Sequence, residues 1–411
     1  MKKRILFISS TNLTTNPRIV KELKLAVSLG YSVSFLGFSL NNWSAKIEEQ
    51  HKKELQETVA LHYISAERKP FIPWFSSSVI EIICKKIYAL FSTSLTINAY
   101  AVSKRSFLLI QWLRKNKPQA DLVVAHTLAT LYPAYKYAEK YKIPFAFDVE
   151  DYHPGEKIYS DITNETKRRI FLMQNILPAS KYISCAAPLI EEEVRKNILL
   201  NKTNALLFTV NNNFSKQDFV LPQQNNSNSD KLKLVWFSQN ISEGRGLELI
   251  LPLLSKFSNK INIILIGNVS ETFFNEVLIH YNSFIEILPP LTQTELHRKL
   301  TTFDIGLAIE DINADVNRNI CLTNKIWSYY QAGLFILATK TSAQEKFIAD
   351  NKEHGVLFDF SEENFNKIIN DLLSDKEKIE ANKTNRFNTA LNNCWENETL
   401  KLTKSWELII N

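Results

Sequence analysis

The chain has 411 residues, 45% of them hydrophobic and 22% charged. That balance excludes extensive disorder, and the length suits two domains, since one domain usually takes about 100 to 200 residues. The formal charge of +6 is unevenly spread: residues 1–215 carry 29 Lys+Arg against 18 Asp+Glu and the remainder 20 against 25, so the first half should prefer anionic surfaces.

Four cysteines, Cys84, Cys185, Cys321 and Cys394, are scattered. Their spacing suits neither a zinc site nor a disulfide scaffold and fits a reducing cytoplasm. The opening Met1 to Arg4, followed by Ile5 to Ile8, imitates a signal peptide, but the apolar run stops at Ser9-Ser10 and polar Thr11 to Asn16 follows. It reads as a first strand.

Strands are expected at Arg4 to Ser10, Ser32 to Phe38, Asp121 to His126, Pro144 to Glu150, Tyr182 to Ala186 and Leu206 to Val210. The first helix should run from Pro17 to Leu29, with Asn16 as N-cap, Pro17 in its first turn and Gly30 as its stop. An Asn-rich stretch, Asn211 to Asp230, cannot bury a core. It places a linker at 216–230 between a first domain, 1–215, and a second, 231–395. Alternation then restarts, with strands at Leu232 to Ser238, Asn262 to Gly267, Phe284 to Leu288, Ile305 to Glu310, Phe335 to Thr339 and Val356 to Phe358. Apolar runs alternating with helical segments are the signature of parallel βα units, so two Rossmann-like domains follow. The tail, 396–411, is amphipathic and should cross back to the first domain.

Ligands of open parallel sheets bind at the carboxyl ends of the strands, where loops and helix N-termini converge. In the first half those ends deliver Ser9 to Arg18, with Asn16 and Arg18, then His126 and Thr127, then the run Asp148 to Glu156. That run holds Glu150, Asp151, His153 and Glu156, groups able to accept sugar hydroxyls or to take a proton near neutrality. In the second half Gly244-Arg245-Gly246 opens a helix, Glu310 ends a strand, and Asn319 to Gly333 follows. Helix N–H groups with Arg245 and Lys325 would suit a diphosphate. There is no GxGxxG after the first strand and no GxxxxGK[ST], so dehydrogenase and P-loop readings drop away. No DxD-type pair follows a strand, which makes a metal-independent reaction without cofactor the expectation, although Glu150 and Asp151 could recruit an ion.

Three segments together, NPRIVKELKLAVSLGYSVSFLG (Asn16 to Gly37), ADLVVAHTLATLYPAYKYAEKYKIPFAFDVEDYHPGE (Ala120 to Glu156) and FDIGLAIE with LTNKIWSYYQAGLFILAT (Phe303 to Thr339), resemble GT-B glycosyltransferases close to glycosyltransferase family 4. The resemblance implies two Rossmann-like domains facing a central cleft. It further implies a retaining transferase that takes a nucleotide-diphospho-sugar on the C-terminal domain and an acceptor, a glycan or lipid-linked molecule, on the N-terminal domain. Surface polysaccharide or glycolipid synthesis would be its setting. By position, Lys325 and Arg245 would bind the donor diphosphate, with Gly244, Gly246, Arg318 and Asn324 around it, and Glu310 would face the donor sugar. His153 would sit near the reacting sugar, with Asn16, Arg18, His126, Glu150, Asp151 and Glu156 on the acceptor side.

This chain departs from the family in three places. The glutamate that holds the nucleotide ribose is replaced by Ser328. The Arg five residues before the helix-opening Lys falls on Asn240, while Arg245 takes the Lys position, leaving Arg318 or Lys325 to supply the missing charge. The Gly-rich loop after the first strand is absent. Two other readings share the architecture: a non-hydrolysing nucleotide-sugar epimerase, and a degenerate paralogue that binds without catalysis.

Residues 68–117 hold nine Lys+Arg against one acid, Glu81, interleaved with aromatics such as Trp74, Phe75 and Phe91. The segment is too polar to span a bilayer, but it suits an anionic membrane surface. Alternatively, Val79, Ile83, Ile87 and Leu90 face the domain core. No nucleic-acid motif accompanies the charge.

Overall fold

The computed structural model describes residues 2–40, 44–159, 161–222, 231–311 and 313–410. The chain divides into two compact units, Met1–Val210 with Thr399–Asn411, and Asn211–Glu398. The linker expected at 216–230 lies largely outside the described residues; its start, Lys216–Asp218, is a turn of 3-10 helix capped by Ser215.

Unit 1 carries seven parallel strands: β1 (Arg4–Ser9), β2 (Ser32–Ser39), β3 (Val59–Ser65), β4 (Leu122–His126), β5 (Phe145–Val149), β6 (Tyr182–Cys185) and β7 (Leu206–Thr209). Their order is β3-β2-β1-β4-β5-β6-β7. Unit 2 carries six: β8 (Leu232–Ile241), β9 (Ile261–Val269), β10 (Ile285–Leu288), β11 (Ile305–Ala308), β12 (Phe335–Thr339) and β13 (Gly355–Phe358), in the order β10-β9-β8-β11-β12-β13. All pairs are parallel. Both orders reverse beside the unit's first strand, between β1 and β4 and between β8 and β11. Such switch points leave a crevice at the strands' carboxyl ends.

The twelve strands expected from the sequence are present, and β3 is additional. The central strands are apolar on both faces because helices cover both: in β8, Leu234 and Trp236 enter one core of unit 2 and Val235 the other, all within 1% of full burial. The first helix, Pro17–Ser28, starts as expected, with Asn16 Oδ1 accepting from the Ile19 amide at 3.0 Å. Gly30, at φ +84°, ends it in a conformation that glycine adopts without strain.

The last helix, Trp395–Ile410, carries the tail into unit 1. There Trp406 is fully buried, its indole N–H donating to the Tyr182 hydroxyl at 2.9 Å and its ring edge-on to Phe7. No helix among the described residues is long and apolar enough to cross a membrane. Of the four apolar residues between 79 and 90 read as core-facing, Val79 and Ile87 are half-buried, whereas Ile83 and Leu90 are 48% and 80% exposed.

Candidate active site

In unit 1 the switch point is occupied by a buried network. Arg18, on the inner face of the first helix, donates through Nε and Nη2 to both Asp148 oxygens at 2.6 and 2.8 Å, and through Nη1 to the Val210 carbonyl at 2.6 Å. Ser184 donates to the same carboxylate. His126, at the end of β4, places Nδ1 2.9 Å from Glu150 Oε1 and 3.5 Å from Asp148, with Nε2 3.4 Å from Glu22. Burial opposes charge on His126, but Glu22, Glu150 and Asp148 outweigh it and raise its pKa to about 10. Burial likewise pushes the Glu22 carboxyl up, while at Asp148 the adjacent Arg18 overcomes burial and holds the carboxyl low.

Donor atoms of Glu22, His126 and Asp148 come within 4.8 Å of one another, close enough for a metal ion. Arg18 already occupies both Asp148 oxygens, however, and puts a cation where an ion's charge would go. Asn16, Arg18 and His126, expected on the acceptor side, are therefore enclosed at 2% exposure or less, and only Glu150, 18% exposed at its side chain, reaches the surface of this group.

Two further features follow the ends of β4 and β5. Thr127, immediately after β4, sits at φ +72° and ψ 145°, a region that costs a β-branched residue about 1–3 kcal/mol. Its hydroxyl is clasped by Ser10, Oγ to Oγ1 at 2.7 Å. After β5, a short turn at His153–Gly155 sets His153 Nδ1 3.1 Å from Glu156. Arg169 holds that turn, donating to the His153 carbonyl and to Glu156, each at 2.7 Å. Burial again opposes charge on His153, yet the Glu156 hydrogen bond and the charges of Glu156 and Asp151 raise its pKa. Its Nε2 is buried and has no partner among the described residues.

In unit 2 the switch point is sparser. The end of β11 is latched by Thr339, whose Oγ1 accepts from the Glu310 amide and donates to its carbonyl, both at 3.0 Å. Glu310 Oε1 lies 3.3 Å from Lys325 Nζ, each side chain 14% exposed. Lys325 Nζ is also 5.6 Å from the Trp236 ring centre. Lys325 belongs to the first turn of the helix Asn324–Gln331, which has no side-chain cap and no acid in that turn. The Ile326 amide already donates to the Thr323 carbonyl at 3.2 Å, which leaves the amides of Asn324 and Lys325 to face an anion. Thr323 Oγ1, at the N-cap, is buried without a partner among the described residues.

A second helix, Leu247–Ser255, starts from Gly244-Arg245-Gly246, with the glycines at φ +72° and +83°. Glu248 accepts from the Gly244 amide at 2.8 Å. A Cβ on Gly246 would lie 2.5 Å from Ile309 Cγ2, so this loop packs directly on the residue preceding Glu310. Arg245, Arg318 and Asn240 are exposed. Asn324, also exposed, accepts from Asn212 at 2.8 Å. Ser328 is enclosed at 1% exposure, which leaves it no surface for a ribose.

The structure thus gathers Glu310, Lys325 and the glycine loop, and separately groups His153 with Glu156. Sequence reasoning missed Glu22, Arg169 and Thr323. Glu22 was findable: it lies four residues after Arg18 on the same helix face as Ile19 and Leu23, where a carboxylate needs a buried partner.

No family model and no curated protein matches this chain. Solved structures do. HepE of Anabaena, in complex with UDP and glucose, superposes with a TM-score of 0.61 at 14% identity, over 98% of this chain and 99% of that one. Sucrose-phosphate synthase from Thermosynechococcus elongatus gives 0.63 at 11% identity, over 99% of each. A UDP-N-acetylglucosamine 2-epimerase gives 0.53 at 12% identity, over 93% and 90%. At such identities the likeness is one of fold: the chain has the two-sheet GT-B architecture.

Proposed function

We propose that the chain is a glycosyltransferase that moves a sugar from a nucleotide-diphospho-sugar to a glycan or lipid-linked acceptor with retention of configuration, at the cytoplasmic face, in surface polysaccharide or glycolipid synthesis. The observation that carries this is the Glu310–Lys325 pair at the end of β11, beside an uncapped helix start and the Gly244–Gly246 loop. Substitution at an anomeric carbon builds negative charge on the departing phosphate. Lys325 and the amides of the helix Asn324–Gln331 would stabilise that charge, with the exposed Arg245 and Arg318 folding onto the diphosphate. Drawn toward phosphate, Lys325 would release Glu310 to hydrogen-bond the donor sugar.

In unit 1 we assign acceptor recognition to Glu150, Asp151 and Glu156, and contact with the reacting sugar to His153, whose buried Nε2 has no partner among the described residues and would reach a sugar once the His153–Gly155 turn moves. Asn16, Arg18 and His126 hold that surface from behind. Neither a covalent nucleophile nor a metal is needed, because the cations are side chains.

Solved HepE structures contain UDP and UDP-glucose, which makes UDP the first nucleotide to test. UDP should raise the thermal midpoint of the protein, EDTA should leave the shift unchanged, and Lys325→Ala should remove it. No shift with UDP, GDP, CDP, ADP or dTDP would move the reading to a degenerate, non-catalytic binder. The likeness to an epimerase keeps one rival: an epimeric nucleotide-sugar formed without acceptor would identify it.

A further inference from the structure

The helix Phe71–Ile87 is turned the wrong way round for a protein surrounded by water. Its buried positions are Ser77 and Cys84, seven residues apart on one side. Phe71, Ile72, Phe75, Ile82 and Ile83 are instead between 48% and 78% exposed. At ~100° per residue, these five fall on one arc of about 120°, opposite Ser77 and Cys84. The apolar surface continues past the helix into Leu90 and Phe91, 80% and 52% exposed. Burying a serine and a cysteine while exposing large apolar side chains reverses the ordinary gain from removing apolar area from water. An occupant that covers this face restores it.

The charges state what kind. Lys86 lies near the middle of the apolar arc, and Lys85 flanks it, paired at 2.6 Å with Glu81, the only acid between residues 68 and 117. Arg68 and Lys69 stand exposed at the start of the helix. Arg68 and Lys104 approach the half-buried Trp74 ring at 5.3 and 5.4 Å, holding an indole at the edge of the patch. A second copy docking by two-fold symmetry would bring Lys86 toward its own equivalent. A plane of phosphates with hydrocarbon beneath satisfies both the cations and the rings. The helix, at 17 residues with Glu81, Lys85 and Lys86 in it, does not span a bilayer.

We infer that the face formed by Phe71–Ile87 and Leu90–Phe91 lies in the interface of an anionic lipid bilayer, with Phe71, Ile72, Phe75, Ile82 and Leu90 among the acyl chains and Arg68, Lys69, Lys85 and Lys86 at the headgroups. This concerns unit 1 alone and stands whether or not unit 2 binds a nucleotide.

The test is co-sedimentation of the full chain with vesicles of phosphatidylglycerol and phosphatidylcholine in equal parts, against phosphatidylcholine alone. Binding should be about tenfold weaker without the anionic lipid and should fall as salt rises. Ile72→Ser/Phe75→Ser/Leu90→Ser should reduce binding to anionic vesicles about tenfold or more with an unchanged thermal midpoint, since all three side chains are exposed. Lys85→Glu/Lys86→Glu should do the same through charge alone. Absence of sedimentation with anionic vesicles, or binding unaltered by both variants, would overturn the inference. So would a wild-type dimer in light scattering that the serine variant converts to monomer, because the face would then belong to a second copy.

Discussion

The two units present the same topological crevice and fill it in opposite ways. At the ends of β1, β4 and β5, five ionisable side chains, Arg18, Glu22, His126, Asp148 and Glu150, spend their charge on one another, four of them enclosed. At the ends of β8 and β11, among the described residues, Glu310 pairs with Lys325 between two helix starts that carry no side-chain cap. Charge density at a strand end is thus not a measure of the charge left over for a ligand. What a ligand requires is donors open to it, and beside the sparser cluster Arg245 and Arg318 are exposed.

The sharpest way to break this contrast is Asp148→Ala. It leaves the Arg18 guanidinium buried without its partner and should cost about 3–5 kcal/mol, read from the urea midpoint. Lys325→Ala removes a pair at the edge of solvent and should cost about 1 kcal/mol or less while abolishing the nucleotide shift. Equal costs would show that the two clusters are not different in kind.

Next in size is a pH effect. The folded His126 titrates near 10, above an unfolded imidazole near 6.5, so its contribution is complete below about 6.5 and is lost as pH rises through about 10. Wild-type stability should therefore decline across that window. His126→Gln should flatten the decline, and an unchanged slope would show that His126 is not held as the imidazolium.

Smallest, and confined to unit 2, is the difference between its two loop glycines. Both have positive φ, so alanine at Gly244, with open space around its Cβ, should cost about 1–2 kcal/mol from backbone alone. Gly246→Ala adds the Ile309 clash, about 1–3 kcal/mol more, and should weaken the nucleotide shift by displacing Glu310. Identical thermal midpoints and shifts for the two variants would separate the loop from the site.

Much of the fold was legible because parallel strands covered on both faces are short apolar runs, and twelve of thirteen stood out. The exception, β3, is an edge strand, VALHYIS, whose residues after Val59 and Ala60 are half-buried and include a histidine. It lacked both continuous apolarity and alternation. In the candidate site, the strand-end rule named Glu310 and the His153 turn, and the fold sets Lys325, from the first turn of a helix, beside Glu310. The rule misjudged how open Arg18 and His126 are, because sequence position does not reveal that Glu22 and Asp148 converge on them. The Phe71–Ile87 helix left two readings open for a related reason: periodicity identifies an apolar face but not what covers it, and of the four residues read as core-facing only Val79 and Ile87 are even half-buried.

The placement of Trp406 has a consequence for biosynthesis. Unit 1 takes Trp406 and Ile410 into its core from a segment made after all of unit 2. At ~5–20 residues per second, the surface around Phe7 and Tyr182 waits on the order of 10–40 s for it on the ribosome. Until that helix docks, unit 1 holds an unfilled apolar space beside Phe7 and Tyr182, a surface exposed to misassociation while unit 2 is being made.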